Sequence, residues 1–377
     1  MKQDRHLLLW ERMGDYHRAR WKALGSWLGE DRCFAADLGM ADELYKWEQT
    51  ANPGHEILVR KPVEKVKAWE AFRAFRRLVI DRKITHVSIP GYGRPAYLLM
   101  LVWSRLTGRK VLMFAESWYP GGTIKDFVKG LFLRLFTNRC FVSGERARFH
   151  FIDRLRYPES RLQTGYSVVD NDHFRREDSP PSPQPEDRPV LLCVARFVPE
   201  KNLVHLLEAF KKSSLADTWK LILIGGGPLK AELEERARGS SIELRDWVGY
   251  NDLPALYREA SCFVLPSQFE PWGLVINEAM ASGLPLILSE AVGAVPDLLI
   301  EKGNGWSFNP ENPSQLSALF ERLSDSSSEE LRVMGERSQE IIRHYSLLAW
   351  SSTLAHGRYC WKKMEIIGEA LDLVEVH

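Results

Sequence analysis

The stretch PSQFEPWGLVINEAMASGLPLILSE, residues 266–290, holds two glutamates, Glu270 and Glu278, eight positions apart in an otherwise apolar run. An unpaired carboxylate is costly to bury, so it normally acquires a hydrogen-bonding partner or changes its protonation. The proline and glycine between the two glutamates disfavour one continuous helix. We therefore predict a strand at FVLP, a loop that carries Glu270, and a helix from Gly273 or Leu274 that carries Glu278 about one turn inside.

Both carboxylates would then lie near the N-terminal end of this helix. A helix N-terminus offers free amides and positive potential that suit a phosphate. A carboxylate accepts two hydrogen bonds from a vicinal diol such as that of a ribose or a hexose. This combination is typical of a sugar-nucleotide site. The alternative, in which Glu270 is a helix-start acid and Glu278 lies on a solvated helix face, stays open on spacing alone.

Length and composition indicate a globular protein of two domains. The chain has 377 residues, 45% hydrophobic and 27% charged, which exceeds one ordinary core. Five cysteines without a C-x-x-C pair indicate a reducing compartment and argue against a disulfide framework or a zinc site. The N-terminus predicts no signal peptide, and the longest apolar run, AYLLMLVW, is too short to span a bilayer. These features predict a cytoplasmic protein.

Charge is divided unevenly along the chain. Residues 1–180 contain 32 Lys+Arg against 22 Asp+Glu, and the remainder contains 19 against 28. A basic first half suits phosphate, nucleic acid or an anionic membrane surface. A chance distribution of solvated charges is the alternative at this point.

Apolar runs alternate with amphipathic stretches on both sides of a proline-rich segment, REDSPPSPQPEDRP, which predicts a linker. Strand–helix alternation with strands that are apolar throughout predicts parallel sheets covered on both faces. The predicted fold is therefore α/β, with two doubly wound, Rossmann-like domains facing across a cleft. The predicted divisions are an N-terminal domain at 1–175, a linker at 176–188, a C-terminal domain at 189–345, and a final helix at 346–377 that packs back toward the N-terminal domain. The predicted strands are HLLLW, THVSIP, KVLMFA and RCFVS in the first half and PVLLCVA, WKLILIG, CFVLP and LPLILS in the second. The predicted helices are 63–81, 94–107, 123–137, 201–212, 228–238, 252–259 and 273–282.

The motif EPWGLVINEAMASGLPLI resembles the E-x7-E signature of family-four retaining glycosyltransferases, also called glycosyl transferases group 1, which have the GT-B architecture. VARFVPEKNLVHLLEAF, LILIGGGPLKAELEERA and VGYNDLPALYREASCFVLPS resemble further segments of that family, in the family's order. The resemblance is close over about residues 190–310 and looser before them.

The resemblance implies roles for residues of the second half. Arg196 and Lys201 match the basic pair that holds the donor diphosphate, for which a guanidinium fork and an ammonium are suited. Glu278 matches the acceptor of the ribose hydroxyls, and Glu270 matches the acid beside the transferred sugar. The remaining donor-side matches are the loop residues Trp272, Gly273 and Leu274 and the base-side residues Val248 and Gly249. The turn GGGP at 225–228 lacks the G-x-G-x-x-G spacing of a nicotinamide fingerprint.

The first half gives weaker signals. Gly14 follows the first predicted strand, where the family's glycine loop approaches the donor phosphates. The predicted acceptor-side residues are Tyr16, His17, Arg18, Tyr92, Glu116 and Ser117, and Arg20 could face the acceptor as well. Glu116 and Ser117 occupy a position where relatives often carry a His or Asp.

TIKDFVKGLFLRLFTNR, residues 123–139, combines apolar and basic residues. Such a helix either covers a sheet or lies on an anionic membrane.

The predicted function is a retaining glycosyltransferase that moves a sugar from a nucleotide diphosphate sugar to an acceptor hydroxyl, in cell-envelope polysaccharide or glycolipid synthesis. We expect no metal requirement, because no Asp-x-Asp motif ends a strand, and no nucleic-acid partner. The resemblance implies front-face attack, with the leaving phosphate helping to deprotonate the acceptor. A sugar-nucleotide epimerase and a non-catalytic nucleotide-sugar-binding protein are the alternatives.

Overall fold

Runs of aliphatic residues form the strands, as HLLLW and KLILI illustrate, because both faces of each sheet are covered. The computed structural model describes residues 4–40, 54–175 and 188–356. These residues form two units. The first contains the described residues up to Val169 together with Leu347–His356, and the second contains Asp170–Ser346.

The first unit is built from alternating strands and helices. Its strands are β1 (His6–Trp10), β2 (Cys33–Asp37), β3 (His55–Ile57), β4 (His86–Pro90), β5 (Lys110–Ala115), β6 (Arg139–Val142) and β7 (Leu162–Thr164). Its helices are α1 (Asp15–Leu28), α2 (Ala68–Asp81), α3 (Pro95–Leu106), α4 (Thr123–Phe136) and α5 (Glu145–Phe149).

Within the described residues, the seven strands of this unit form one parallel sheet in the order β3-β2-β1-β4-β5-β6-β7. The chain reverses its direction across the sheet between β3 and β4. Right-handed crossovers therefore place α1 on one face and α2, α3 and α4 on the other. The central strand β1 is buried along its whole length, whereas the edge strand β3 is only half-buried.

The second unit repeats this plan. Its strands are β8 (Val190–Val194), β9 (Lys220–Ile224), β10 (Ile242–Arg245), β11 (Cys262–Leu265), β12 (Leu286–Ser289) and β13 (Gly305–Phe308). Its helices are α6 (Asn171–Phe174), α7 (Leu203–Lys212), α8 (Leu215–Thr218), α9 (Lys230–Ala237), α10 (Leu253–Glu259), α11 (Leu274–Ala281), α12 (Val295–Leu298), α13 (Pro313–Asp325) and α14 (Ser328–Ile342). In the described part of the chain its six strands are all parallel, in the order β10-β9-β8-β11-β12-β13. Helix α15 (Leu347–His356) belongs to the first unit, where it packs against α1.

The parallel α/β character predicted from the sequence is confirmed, with differences at the ends of elements. The helix predicted at 63–81 begins at Ala68, because Val63–Lys65 forms a separate 3₁₀ turn. The helix predicted at 201–212 begins at Leu203, after a 3₁₀ turn at Pro199–Lys201. Strands β2, β3, β7, β10 and β13 had not been predicted. Residues 176–187 of the predicted linker and 357–377 of the predicted last segment lie outside the described residues, and the predicted domain boundaries stay a prediction.

Candidate functional site

The loop between β11 and α11 is held by backbone hydrogen bonds on both sides. The amide of Gln268 donates to the carbonyl of Glu200 at 2.9 Å, and the amide of Gly293 donates to the carbonyl of Glu270 at 2.9 Å. Glu200 follows β8 and Gly293 follows β12. The loop therefore lies at the carboxyl ends of three neighbouring strands, which is where ligands bind in open parallel sheets.

An ion pair joins two of the predicted site residues. The ammonium of Lys201 donates to Oε2 of Glu270, although the two residues are 69 positions apart in the sequence. Their side chains are only 10% and 15% exposed. Because water has little access to these two groups, each charge is compensated by the other. This pairing explains how a carboxylate is tolerated at position 270.

The second glutamate has a different partner. Glu278 is fully buried in α11 and accepts a 2.5 Å hydrogen bond from the hydroxyl of Tyr257. Tyr257 lies on α10 and is itself fully buried. The alternative of a solvated helix face is therefore wrong for Glu278. A carboxylate so enclosed has a fixed position, which suits a group that must meet a ligand in one geometry.

The N-terminus of α11 is shaped by Gly273, which has a φ of +97° as the N-cap residue. A Cβ atom at this position would lie 3.3 Å from Cγ of Glu270 and 3.1 Å from Cδ1 of Ile276. Beside it, the buried Trp272 donates from Nε1 to Oδ1 of Asn277 at 2.9 Å. The chain thus enters the helix in one defined conformation, with the helix amides beside Glu270.

Arg196 differs from Lys201 in its surroundings. Its side chain is 51% exposed, and Nη2 lies 3.5 Å from Oε1 of Glu200. Such a pair between exposed side chains contributes little to stability. The Arg196 guanidinium is therefore able to exchange this carboxylate for an anionic ligand at small cost.

The glycine turn after β9 supports the loop that carries Arg196. A Cβ atom at Gly225 would lie 1.9 Å from the carbonyl oxygen of Ala195, and one at Gly227 would lie 2.6 Å from that of Phe197. The amide of Phe197 donates to the carbonyl of Gly226 at 2.8 Å. The glycines thus allow a close backbone approach, which gives them a structural role.

Val248 and Gly249 follow β10 at the same edge of the sheet. Val248 is half-buried and Gly249 is exposed. The carbonyl of Gly249 accepts from the amide of Leu253 at 3.2 Å, at the start of α10. This segment therefore leads directly into the helix that carries Tyr257.

In the first unit, Gly14 and His17 form a cap at the start of α1. The amide of Gly14 donates to Nδ1 of His17 at 3.2 Å, and the imidazole lies 4.9 Å from the ring of Trp10. Burial, helped by the charge of Arg20, lowers the pKa of His17 to about 3. His17 is therefore neutral and weakly basic at neutral pH. Tyr16 and Arg18 are half-buried on the same helix.

The suggestion that Arg20 could face an acceptor is wrong. Its side chain is turned inward and is 1% exposed. Nε and Nη2 donate to the carbonyl of Val168 at 3.1 and 2.7 Å, and the guanidinium lies 4.9 Å from the ring centre of Tyr166. Arg20 thus ties α1 to the segment after β7.

Tyr92, Glu116 and Ser117 lie where β4 and β5 end. Burial raises the pKa of Tyr92, and the side chain of Ser117 acts in the opposite direction. Glu116 accepts from Oγ of Ser167 at 2.8 Å. The structure thus brings these three predicted residues to one edge of the first sheet.

The described residues contain neither a metal-binding cluster nor a membrane-spanning helix. Among them, no group of three or more His, Cys, Asp or Glu side chains is arranged to hold a metal ion. No helix in the same residues has both the length and the apolarity needed to cross a membrane.

Residues 174–341 match the family Glycosyl transferases group 1. Sulfoquinovosyl transferase SQD2 of Arabidopsis thaliana is 29% identical over 189 residues, which are 48% of this chain and 36% of that protein. O-antigen chain mannosyltransferase B of Escherichia coli is 26% identical over 235 residues, 57% of this chain and 59% of that protein. The chain thus spans less than two thirds of the length of each of these relatives.

The structure of HepE from Anabaena, solved in complex with UDP and glucose, superposes with a TM-score of 0.73 and 15% sequence identity. The superposition covers 94% of this chain and 99% of HepE. The chain therefore has the GT-B fold, two parallel-sheet α/β units, as the resemblance implied. The match to the glycosyl transferases group 1 family lies in residues 174–341, most of the second unit.

Proposed function

We propose that this protein is a glycosyltransferase that moves a sugar from a nucleotide diphosphate sugar to an acceptor hydroxyl. The observation that carries the proposal is the arrangement of Lys201, Glu270 and Glu278 at the carboxyl ends of β8 and β11, within a family-matched segment. One lysine, one half-enclosed carboxylate and one buried carboxylate provide the charges that a diphosphate, a hexose and a ribose require.

The donor diphosphate would be held by Lys201, Arg196 and the amides that begin α11. Charge grows on the diphosphate as the glycosidic bond breaks, so fixed positive groups there lower the barrier. On donor binding Lys201 would turn from Glu270 toward phosphate oxygens, which leaves Glu270 available to the hydroxyls of the transferred sugar. Glu278, held by Tyr257, would accept from the ribose hydroxyls. Gly14, Trp272, Gly273, Leu274, Val248 and Gly249 complete the proposed donor set.

We propose retention of anomeric configuration, without a divalent metal and without a dedicated protein base. A general base works best with a pKa near the operating pH. The pKa of His17, lowered to about 3, makes its imidazole unsuited to that task. As the family resemblance implies, the leaving phosphate would help to take the acceptor proton. Tyr16, His17, Arg18, Tyr92, Glu116 and Ser117 are proposed to contact the acceptor.

The proposed acceptor is a saccharide or a lipid-linked precursor of cell-envelope polysaccharide or glycolipid, handled in the cytoplasm at the inner face of the membrane. Two observations support this choice. O-antigen chain mannosyltransferase B is among the relatives, and the first half of the chain is basic.

The test is turnover of a panel of radiolabelled nucleotide sugars by the full chain, with Lys201→Met beside the matched control Lys211→Met. Lys211 is an exposed lysine of α7 that donates to the carbonyl of Arg236 at 2.9 Å. We expect Lys201→Met to lower turnover by at least about 100-fold and Lys211→Met to leave it unchanged. Near-normal turnover in Lys201→Met would overturn the assignment.

The product and conditions distinguish the alternatives. Proton NMR of the product should show the donor's anomeric configuration, and EDTA should leave the rate unchanged. Exchange of a sugar carbon-bound proton with solvent in the absence of acceptor would indicate an epimerase. Donor binding with neither hydrolysis nor transfer would indicate a binding protein.

A further inference from the structure

Helix α4 presents an apolar stripe to solvent. Five of its large apolar side chains are between 44% and 81% exposed: Ile124, Phe127, Val128, Leu131 and Leu135. Their spacing of three, one, three and four residues places them on one side of a helix. We call these five residues the α4 face.

The α4 face is not needed to attach the helix to the sheet. The inward side of α4 is formed by the buried residues Asp126, Gly130 and Leu133. At Gly130 the contact is so close that a Cβ atom would lie 1.8 Å from the carbonyl oxygen of Leu155. The side of α4 opposite to the α4 face therefore covers the sheet. The sequence alone had left open whether this helix covers a sheet or lies on a membrane.

A second group of exposed apolar side chains lies on α3. Leu98, Leu99 and Leu106 of α3 are exposed, the last by 74%. Because α3 and α4 are successive crossovers between neighbouring strands, they pack side by side on one face of the sheet. An isolated exposed leucine is ordinary, but several exposed large apolar side chains along one helix face indicate an interaction site.

The charges around this surface favour one kind of partner. Between residues 95 and 136 the chain has six basic residues and two acidic residues. Both acidic side chains already accept hydrogen bonds within the protein. Asp126 is buried and accepts from the amide of Gly121 at 3.0 Å, and the half-buried Glu116 accepts from Ser167. Lys125, beside Ile124, is exposed. A face of exposed apolar side chains with the Lys125 ammonium beside it matches an anionic bilayer, in which acyl chains lie beneath phosphate headgroups.

We propose that the α4 face, with the exposed leucines of α3, docks onto the surface of an anionic lipid bilayer. The five side chains would enter the boundary between headgroups and acyl chains, and Lys125 would meet lipid phosphate. This docking rests on the proposed function, because its role would be to bring the chain to a lipid-linked acceptor.

The experiment is co-sedimentation of the full chain with two kinds of vesicle, phosphatidylcholine alone and equal parts phosphatidylcholine and phosphatidylglycerol. We expect binding to the anionic vesicles only. Phe127→Ser combined with Leu131→Ser should weaken it by at least about tenfold, since each side chain loses its burial in lipid. The matched control combines Val333→Ser and Leu348→Ser, which are exposed apolar residues of α14 and α15, and should bind as the unaltered chain does.

The charge contribution is tested separately. Lys125→Glu should weaken binding and reduce its dependence on salt, whereas Lys211→Glu in the second unit should change neither. Failure of the unaltered chain to bind anionic vesicles would overturn the docking. Equal vesicle binding by the Phe127/Leu131 variant would also overturn it. A third contradicting outcome is a dimer of the unaltered chain, detected by light scattering, that is lost in this variant while vesicle binding persists.

Calorimetric titration with a nucleoside diphosphate, run on the same variants, separates the two proposals. Donor binding that persists when vesicle binding is lost assigns the defect to docking. Vesicle binding without any donor binding would contradict the proposed function and leave the docking standing.

Discussion

Replacing Lys201 by Met tests how the site tolerates its buried charges. The substitution preserves much of the side-chain volume and leaves the Glu270 carboxylate 15% exposed without its ammonium partner. Replacing Glu270 by Gln leaves the Lys201 ammonium, whose side chain is 10% exposed, without its carboxylate partner. The double variant removes both charges and therefore leaves neither one uncompensated.

The magnitude follows from the exposure of the pair. Breaking a fully buried pair by removing one partner costs about 3–5 kcal/mol, and breaking an exposed pair costs about 0–1 kcal/mol. Side chains only 10% and 15% exposed lie nearer the buried limit. We therefore expect each single variant to lose about 2–3 kcal/mol of the free energy of unfolding. The double variant should lose less than the sum of the two, with a coupling energy of about 2 kcal/mol.

The assay is urea unfolding of the four proteins, followed by circular dichroism and by tryptophan fluorescence. Because the chain has two units, the free energies are interpreted only for a transition in which the two probes coincide. Additive effects, with a coupling below about 0.5 kcal/mol, would refute the reasoning that the two charges compensate each other. Turnover provides the contrast, because the double variant should be about as stable as either single variant and still be inactive.

Three further predictions concern Glu278, the glycine turn and a buried histidine. Tyr257→Phe should weaken nucleotide binding at least about tenfold by calorimetry, because the buried Glu278 carboxylate loses a charged hydrogen bond. Gly225→Ala should lower the free energy of unfolding by about 2 kcal/mol or more, because its Cβ would lie 1.9 Å from a carbonyl oxygen. Burial lowers the pKa of His6 from 6.5 to about 3, so between these values the unfolded chain binds a proton that the folded chain does not. The free energy of unfolding should therefore fall with falling pH, by about 1.4 kcal/mol per unit from this group, and His6→Gln should make that slope smaller.

Each of these has an outcome that contradicts it. Unchanged nucleotide binding in Tyr257→Phe would show that this hydroxyl does not position Glu278. Gly93→Ala, where a Cβ meets nothing within 4 Å, is the control for the glycine turn, and equal stability of the two alanine variants would contradict the close approach. If the free energy of unfolding of His6→Gln depended on pH as it does in the unaltered chain, His6 would not be the group that is protonated on unfolding.

The sequence predicted the central strands better than the edges of the sheets. β1 and β9 each contain an unbroken run of aliphatic residues, LLL and LILI, because both of their faces are buried. β3, with the sequence HEI, is a half-buried edge strand of three residues and carries no such pattern. β13 is short, begins with a glycine, and could be recognised only through its pairing with β12. These strands depend on tertiary contacts that local patterns do not contain.

In the candidate site, the sequence predicted the loop and the helix that carry the two glutamates, but not their partners. Lys201 reaches Glu270 because β8 and β11 are adjacent in the sheet, an order that the linear sequence does not show. Tyr257 resembles any apolar residue of an amphipathic helix until α10 is placed beside α11. Asn277 follows three apolar residues, and nothing in that pattern indicates that it holds the indole of Trp272.

The most direct test of the central claim is calorimetric titration of the full chain with UDP, GDP, ADP, CDP and dTDP. The claim is that the second unit binds a nucleotide diphosphate sugar through Lys201 and Glu278. It predicts saturable binding of at least one of these diphosphates, weakened at least about tenfold by Lys201→Met and by Glu278→Gln and unchanged by Lys211→Met. Binding of none of the five, or binding that neither site variant weakens, would contradict the claim.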